Sequence, residues 1–336
     1  MTTRPPQPGT SRPSAAMEGT APDASRNGNA AAANAMPEQS DMMGGNAAEM
    51  ADDAAEQAAA AADSNPQPPS DGDPDMEDPE TSEPVLPAAN VAEDGAFATR
   101  QDLSTGPDRE SGLFFPTELG RDGLKHPLFL WGCGGGSTPR NYVDHMNRIA
   151  SHGFVVLAVV CRIGDDGDVL TENLDWLVAE NERADSPLYG QLDPSRIGAG
   201  GHSIGSVNTF FMVDDPRLLT TIHVAGGSLD DVNDVRAATT GMGGMRLIHP
   251  AAFFVGETDT FGNNEKLEKD YAAATAPLFF ATLNGADHIN VARRALPPIV
   301  AWLRWHVAGE TALANMFLDA AGAFQMEPYA ARTKNW

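Results

Sequence analysis

The 336-residue chain carries 47 acidic and 22 basic side chains, a net charge of −25, 41% hydrophobic residues and two cysteines. That length accommodates one large domain or two small ones. The acidic surplus argues against nucleic acid or an anionic membrane as partner, two cysteines exclude a disulfide scaffold and a four-thiolate zinc site, and no apolar run approaches the roughly 18 residues of a membrane span.

The charge is uneven: residues 1–100 hold 18 acidic and 4 basic side chains. Up to Asn90 there is no Phe, Tyr, Trp or Ile, and Ala, Pro, Gly, Asn, Ser, Met and acid dominate. Such a chain cannot offset a backbone ordering cost of about 1–2 kcal/mol per residue, so residues 1–96 are expected to be a disordered tail and linker. Asp63–Pro87 is its Pro- and acid-rich, extended part, and Ala54–Ala62 is too short for a stable helix. Met1–Met36 lacks the basic start and apolar core of a secretory signal, which fits a cytoplasmic protein or a start lying downstream of an export segment.

From Phe97 the composition changes, and residues 97–336 read as one domain of alternating strands and helices. Leu113–Phe115 is an early strand, and Pro127–Trp131 is a buried strand ending in the loop Gly132-Cys133-Gly134-Gly135-Gly136-Ser137. Val143, Met146 and Ile149 give Asn141–His152 a helical spacing, ended by Gly153. Phe154–Val160 is a continuous apolar run, as in strands covered on both faces. Leu170, Leu174, Leu177 and Val178 mark the next helix. Strands follow at Arg196–Gly200, Thr220–Ala225, Ala251–Val255 and Leu278–Leu283, with helices at Ser203–Met212, Glu265–Ala274 and Pro298–Val307. This alternation predicts a mostly parallel central sheet flanked by helices.

The chemistry sits at strand ends. Gly201-His202-Ser203-Ile204-Gly205 is a Gly-x-Ser-x-Gly between a strand and an apolar helix, the context that exposes a nucleophilic serine on a tight turn. A serine needs a base and the base an orienting acid, which in this arrangement follow in the order Ser, acid, His. Gly256-Glu257-Thr258-Asp259-Thr260 and Asn284-Gly285-Ala286-Asp287-His288-Ile289-Asn290 each follow a strand and face the same sheet edge. Ser203, Asp259 and His288 are therefore the expected triad. Glu257 is the main competitor for the acid, with Asp287, Asp230 and Asp231 behind it. His126, His145, His152, His202, His223, His249 and His306 read as surface or core residues.

The expected oxyanion donors are the backbone N–H groups of Cys133 and Ile204, with Gly134 the alternative in the first loop. A phosphate or dinucleotide loop there is disfavoured, because neither Gly-Lys-Ser/Thr nor Gly-x-Gly-x-x-Gly spacing is present. Trp131, Gly134, Ile204, Ile289 and the Ile163–Val169 loop are candidate pocket lining, with Trp131 equally readable as core. Cys133 and Cys161 both fall at strand ends, and a disulfide and two buried thiols stay open.

With the Gly-His-Ser-Ile-Gly elbow, the Gly-Glu-Thr-Asp-Thr loop and the Leu-Asn-Gly-Ala-Asp-His turn in place, about Ser111 to Phe317 resembles the bacterial cutinase-like polyester hydrolases, the group that includes poly(ethylene terephthalate) hydrolases. Ser111–Thr117, Ser151–Val156, Leu192–Gly198 and the helix around Trp302-Leu303 look like that family too. The resemblance implies an α/β-hydrolase fold without a large lid, secretion, and hydrolysis of carboxylic esters without a redox cofactor; no metal is expected, and the acidic linker suits holding a catalytic domain away from an anchor or cell surface. It implies the same triad. The family usually has an aromatic residue where Cys133 stands, Met where Ile204 stands, Trp near Gly226–Ser228 and glycines where Ser206 and Val207 stand. Those aromatics stack on aromatic substrate, so short-chain or aliphatic esters and polyesters are expected as substrates, with weak aromatic-polyester activity. A monomer is expected. The alternatives are a lipase or platelet-activating-factor-acetylhydrolase-like esterase, and a non-catalytic binding module on the same fold.

Overall fold

The computed structural model describes residues 84–165, 168–228, 247–261 and 263–336. Contacts separate Met1–Glu77 from a second unit, Asp78–Trp336, which holds all of the strands and helices described. The expected disordered tail lies outside the described residues as far as residue 83, as do Asp230 and Asp231.

The continuous apolar runs of the sequence become the centre of one sheet. Its strands are β1 (Thr99–Thr105), β2 (Ser111–Pro116), β3 (His126–Gly132), β4 (Val155–Val159), β5 (Leu192–His202), β6 (Leu218–Val224), β7 (Ala251–Gly256), β8 (Leu278–Leu283) and β9 (Tyr329–Lys334). They lie in the order β1-β2-β4-β3-β5-β6-β7-β8-β9. The six strands from β4 across to β8 are parallel, and β1, β2 and β9 are antiparallel to their neighbours. Alternate residues of one strand enter opposite cores: Phe129 and Trp131 of β3 join one cluster, Leu128 and Leu130 the other. Helices close both faces, which is why these strands carry no polar alternation.

On one face lie α1 (Val143–Ser151), through Met146 and Ile149, and the Pro-initiated α6 (Leu296–His306), through Ile299 and Trp302. On the other lie α2 (Asp168–Glu180), through Leu170, Leu174 and Leu177, and α4 (Asn263–Ala273), through Leu267. Each fully buried large side chain among these contributes roughly 1.5–3 kcal/mol. Short helices α3 (Ile204–Thr209), α5 (Asn290–Arg294) and α7 (Asn315–Leu318) complete the set. The first of these is shorter than the expected Ser203–Met212: Ser203 stands outside it, and Phe210–Met212 form a 3-10 turn. Among the described residues no helix is long and apolar enough to cross a membrane.

Two edge strands, β1 and β9, have no counterpart in the sequence reading. Both are partly exposed, so neither carries an apolar run. A further correction concerns residues 84–96, which composition places in the tail. Leu86 and Val91 are buried in the main core. The segment is held by Arg304, only 1% exposed, which donates to Pro87 O (2.7 Å), Glu310 Oε2 (3.1 Å) and His152 Nδ1 (3.3 Å). His152 Nε2 in turn meets Glu93 O at 3.0 Å. A few apolar side chains and one buried cation suffice where average composition predicts none.

Arg304→Leu is expected to destabilise the protein by about 3 kcal/mol, the lower end for breaking a buried ion pair, because Glu310 can rehydrate. Urea denaturation reads this, and an unchanged midpoint would show the network to be dispensable. Burial also lowers His152 and His202 to about 4 and His223 and His306 to about 3. Their folded values lie below the ordinary 6.5, so the unfolded chain binds protons first. This stability is complete above about pH 6.5 and is lost as pH falls toward 4 and then 3, by up to about 1.4 kcal/mol per pH unit for each histidine. Urea midpoints at pH 7, 6 and 5 should therefore decline, whereas a flat series would contradict the assignment.

Candidate active site

Strand β5 runs into α3 through a single residue out of register with both. Ser203 has φ 54° and ψ −119°, a positive φ that a side-chain-bearing residue rarely holds. Its N–H donates to Val224 O (2.8 Å) and its carbonyl accepts Val207 N–H (3.0 Å), so sheet and helix both grip it. The turn closes only because its neighbours lack side chains. A methyl on Gly205 would stand 2.0 Å from Gly132 O, and one on Gly201 2.3 Å from Gly205 C.

His288 and Asp259 arrive from the loops after β8 and β7. Those loops are stitched together by Thr258, whose N–H and Oγ1 both donate to Ala286 O at 2.9 Å. His288 Nε2 lies 2.9 Å from Ser203 Oγ, and its Nδ1 lies 2.8 Å from Asp259 Oδ2. Facing a carboxylate, Nδ1 carries the hydrogen, which leaves Nε2 bare toward the serine hydroxyl. The Asp259 side chain is fully buried, and its second oxygen accepts Phe261 N–H at 2.8 Å. The competing acids are engaged elsewhere. Glu257 Oε2 accepts Gly285 N–H (2.6 Å), and Asp287 Oδ1 accepts the amides of Ile289 (2.9 Å) and Asn290 (2.7 Å) at the start of α5.

The first-loop oxyanion expectation is corrected. Cys133 N–H donates to Val159 O at 2.9 Å, because pairing between β3 and β4 extends one residue past the strand. The alternative, Gly134 N–H, donates to Tyr142 Oη at 3.0 Å. Gly135 N–H, next along, has no partner among the described residues, and a methyl there would lie 2.9 Å from Ile204 Cγ1. Ile204 N–H, at the start of α3, is likewise unpartnered among them. The cysteines are both free and buried, and burial raises the Cys161 thiol to about 12 and the Cys133 thiol well above its ordinary range. Neither is a thiolate.

Trp131 is corrected from pocket lining to core: it is 1% exposed and packs on Phe129 and Tyr142. Gly134 is buried too. Ile289, next to His288, is 72% exposed, and Ile163, four residues past β4, is exposed as well. Residues 166–167 of the Ile163–Val169 loop lie outside the described residues, as do residues 229–246 after β6, where part of the expectation of no large lid falls. Sequence reasoning missed Phe261, which is 70% exposed yet stacks on the His288 ring at 4.3 Å and 26°. Its signal was available: an aromatic residue two positions after the candidate acid. A separate cleft of about 950 Å³ between β1 and α2 contains none of these residues.

A mostly parallel sheet with a serine elbow after its fifth strand, and with acid and histidine loops after its seventh and eighth, defines an α/β-hydrolase. The family model described as PETase: PET hydrolase-like matches residues 138–326. The chain belongs to the PET hydrolase-like family. The matched segment contains Ser203, Asp259 and His288, whereas β3 and Cys133 lie upstream of it. No curated protein matches the chain.

Proposed function

We propose that the protein is a serine carboxylic ester hydrolase working through an acyl-enzyme, with short-chain or aliphatic esters and polyesters as substrates. The observation that carries this is the unbroken line Ser203 Oγ, His288 Nε2, His288 Nδ1, Asp259 Oδ2, with steps of 2.9 Å and 2.8 Å around the ring. Ser203 attacks the ester carbonyl while its proton passes to His288 Nε2. Asp259 holds the tautomer and stabilises the imidazolium. The tetrahedral oxyanion falls to the amides of Ile204, at the start of α3, and Gly135, in the loop after β3, neither of which has a partner among the described residues. Collapse expels the alcohol, which takes the proton from His288, and water then repeats both steps on the acyl-enzyme.

The apolar groups beside the triad favour a neutral, hydrophobic acyl or alcohol chain. Phe261 presents exposed carbon on the His288 ring, Ile289, which follows His288 in the chain, is exposed too, and both are uncharged. The indole and phenol that could have stacked on an aromatic substrate, Trp131 and Tyr142, are buried.

Ser203→Ala is expected to lower hydrolysis of p-nitrophenyl butyrate by at least about 1,000-fold without unfolding the protein, and Asp259→Asn by about 10,000-fold. Glu257→Gln should stay within about two-fold, since among the described residues that carboxylate bonds a loop amide and not the histidine. Equal losses in Glu257→Gln and Asp259→Asn would reassign the acid, and full activity in Ser203→Ala would end the reading. On films, polycaprolactone should erode faster than poly(ethylene terephthalate). Faster release of terephthalate than of hydroxycaproate would overturn the aliphatic preference.

A further inference from the structure

A second line of hydrogen bonds runs behind the triad, and its directions can be assigned group by group. His202 Nε2 lies 2.8 Å from His288 O, which only accepts, so Nε2 carries the hydrogen. Burial keeps the ring neutral, leaving Nδ1 bare. The group 2.8 Å from Nδ1 is Tyr142 Oη, which must donate to it. The same oxygen then accepts Gly134 N–H at 3.0 Å. Burial pushes the Tyr142 phenol up to about 12, so the proton it donates stays on it. The line reads Gly134 N–H to Tyr142 O–H to His202 Nδ1, then His202 Nε2–H to the carbonyl of His288.

Buried tyrosine and histidine side chains need partners anywhere in a core, so bonding alone assigns no role. The two ends of this line do. One is an amide of the glycine loop after β3, adjoining Gly135; the other is the backbone of the residue whose side chain takes the serine proton. His202 also immediately precedes Ser203, and its ring packs 5.1 Å from the His288 ring. Tyr142 ends the 3-10 turn Pro139–Tyr142 that anchors the far side of the loop. There is no slack, because a methyl on Gly134 would stand 3.0 Å from both His202 Nδ1 and Tyr142 Oη.

We propose that Tyr142 and His202 are a positioning pair that fixes the glycine loop and the His288 main chain at one distance, so that the oxyanion donors and the proton acceptor keep register on the same carbonyl. The inference rests on the esterase reading. Asp259 orients the His288 ring from one side, and His202 holds its backbone from the other. Without the Tyr142 hydroxyl, Gly134 N–H loses its acceptor and His202 Nδ1 its donor, and loop and base move independently.

The test is Tyr142→Phe in the full chain, which keeps the ring and removes one oxygen. Turnover of p-nitrophenyl butyrate should fall about 10–100-fold in kcat, with KM within about two-fold, the pattern of lost alignment. His202→Gln, whose amide can still donate to His288 O, should retain more kcat than His202→Leu, and adding Tyr142→Phe to His202→Gln should cost far less than the two single losses multiplied. The low-field proton resonance of the His288–Asp259 hydrogen bond should shift or broaden in Tyr142→Phe, a readout that needs no substrate. Unchanged kcat and an unchanged resonance in folded Tyr142→Phe would overturn the pairing, leaving only a structural role. If instead Ser203→Ala hydrolyses the ester as well as the wild type, the esterase reading fails, and the resonance still judges the link.

Discussion

The site depends on one steric constraint: three stretches of backbone touch with no side chain between them. Gly132 at the end of β3, Gly201 near the end of β5 and Gly205 in the first turn of α3 approach so closely that a single methyl at any of the three would meet main-chain atoms. Because β3 and β5 are parallel neighbours, this contact sets both the height of Ser203 above the sheet and the start of the glycine loop. The positive φ of Ser203 follows, since a strand that must turn into a helix within one residue has no relaxed alternative. Strain at the serine is sustained by the pairing of β5 with β3 and β6 on either side.

On that frame the chemistry is a matter of hydrogen-bond direction. A neutral histidine offers one donor and one acceptor, and each of the two at the site has its tautomer dictated by a neighbour that can only accept: Asp259 for His288, the His288 carbonyl for His202. Burial supplies the neutrality of His202. The same low-dielectric interior that keeps the other core histidines uncharged thus gives His202 a fixed polarity. Amides behave likewise: those of Cys133 and Gly134 are committed to the sheet and to Tyr142, whereas those of Gly135 and Ile204 have no partner among the described residues.

How much of this could be read beforehand depends on the range of the forces. Elements buried on both faces, such as β4 and β8, announce themselves as apolar runs, and the elbow announces itself by its glycines, because local sterics demand them. The order Ser203, Asp259, His288 was legible because strand ends in a parallel sheet share an edge. Edge strands β1 and β9 were not, since half-exposed strands carry no apolar run and owe their place to a neighbour's free edge. Residues 84–96 were misassigned for a related reason: Leu86, Val91 and the carbonyl of Pro87 matter only because Arg304, more than two hundred residues away, comes to meet them.

By itself, the sequence determined the class of fold and marked Ser203, Asp259 and His288 as the expected serine, acid and histidine, since each lies in contiguous residues whose local conformations admit few alternatives. The tertiary structure alone decided that Glu257 bonds a loop amide and not the histidine, that the Cys133 and Gly134 amides are committed elsewhere, and that Trp131 is core while Phe261 lies on the imidazole. Those outcomes turn on distances of an ångström or less between segments far apart in the chain. A hydrogen bond or a steric contact changes sign over that distance, whereas periodicity and composition do not register it.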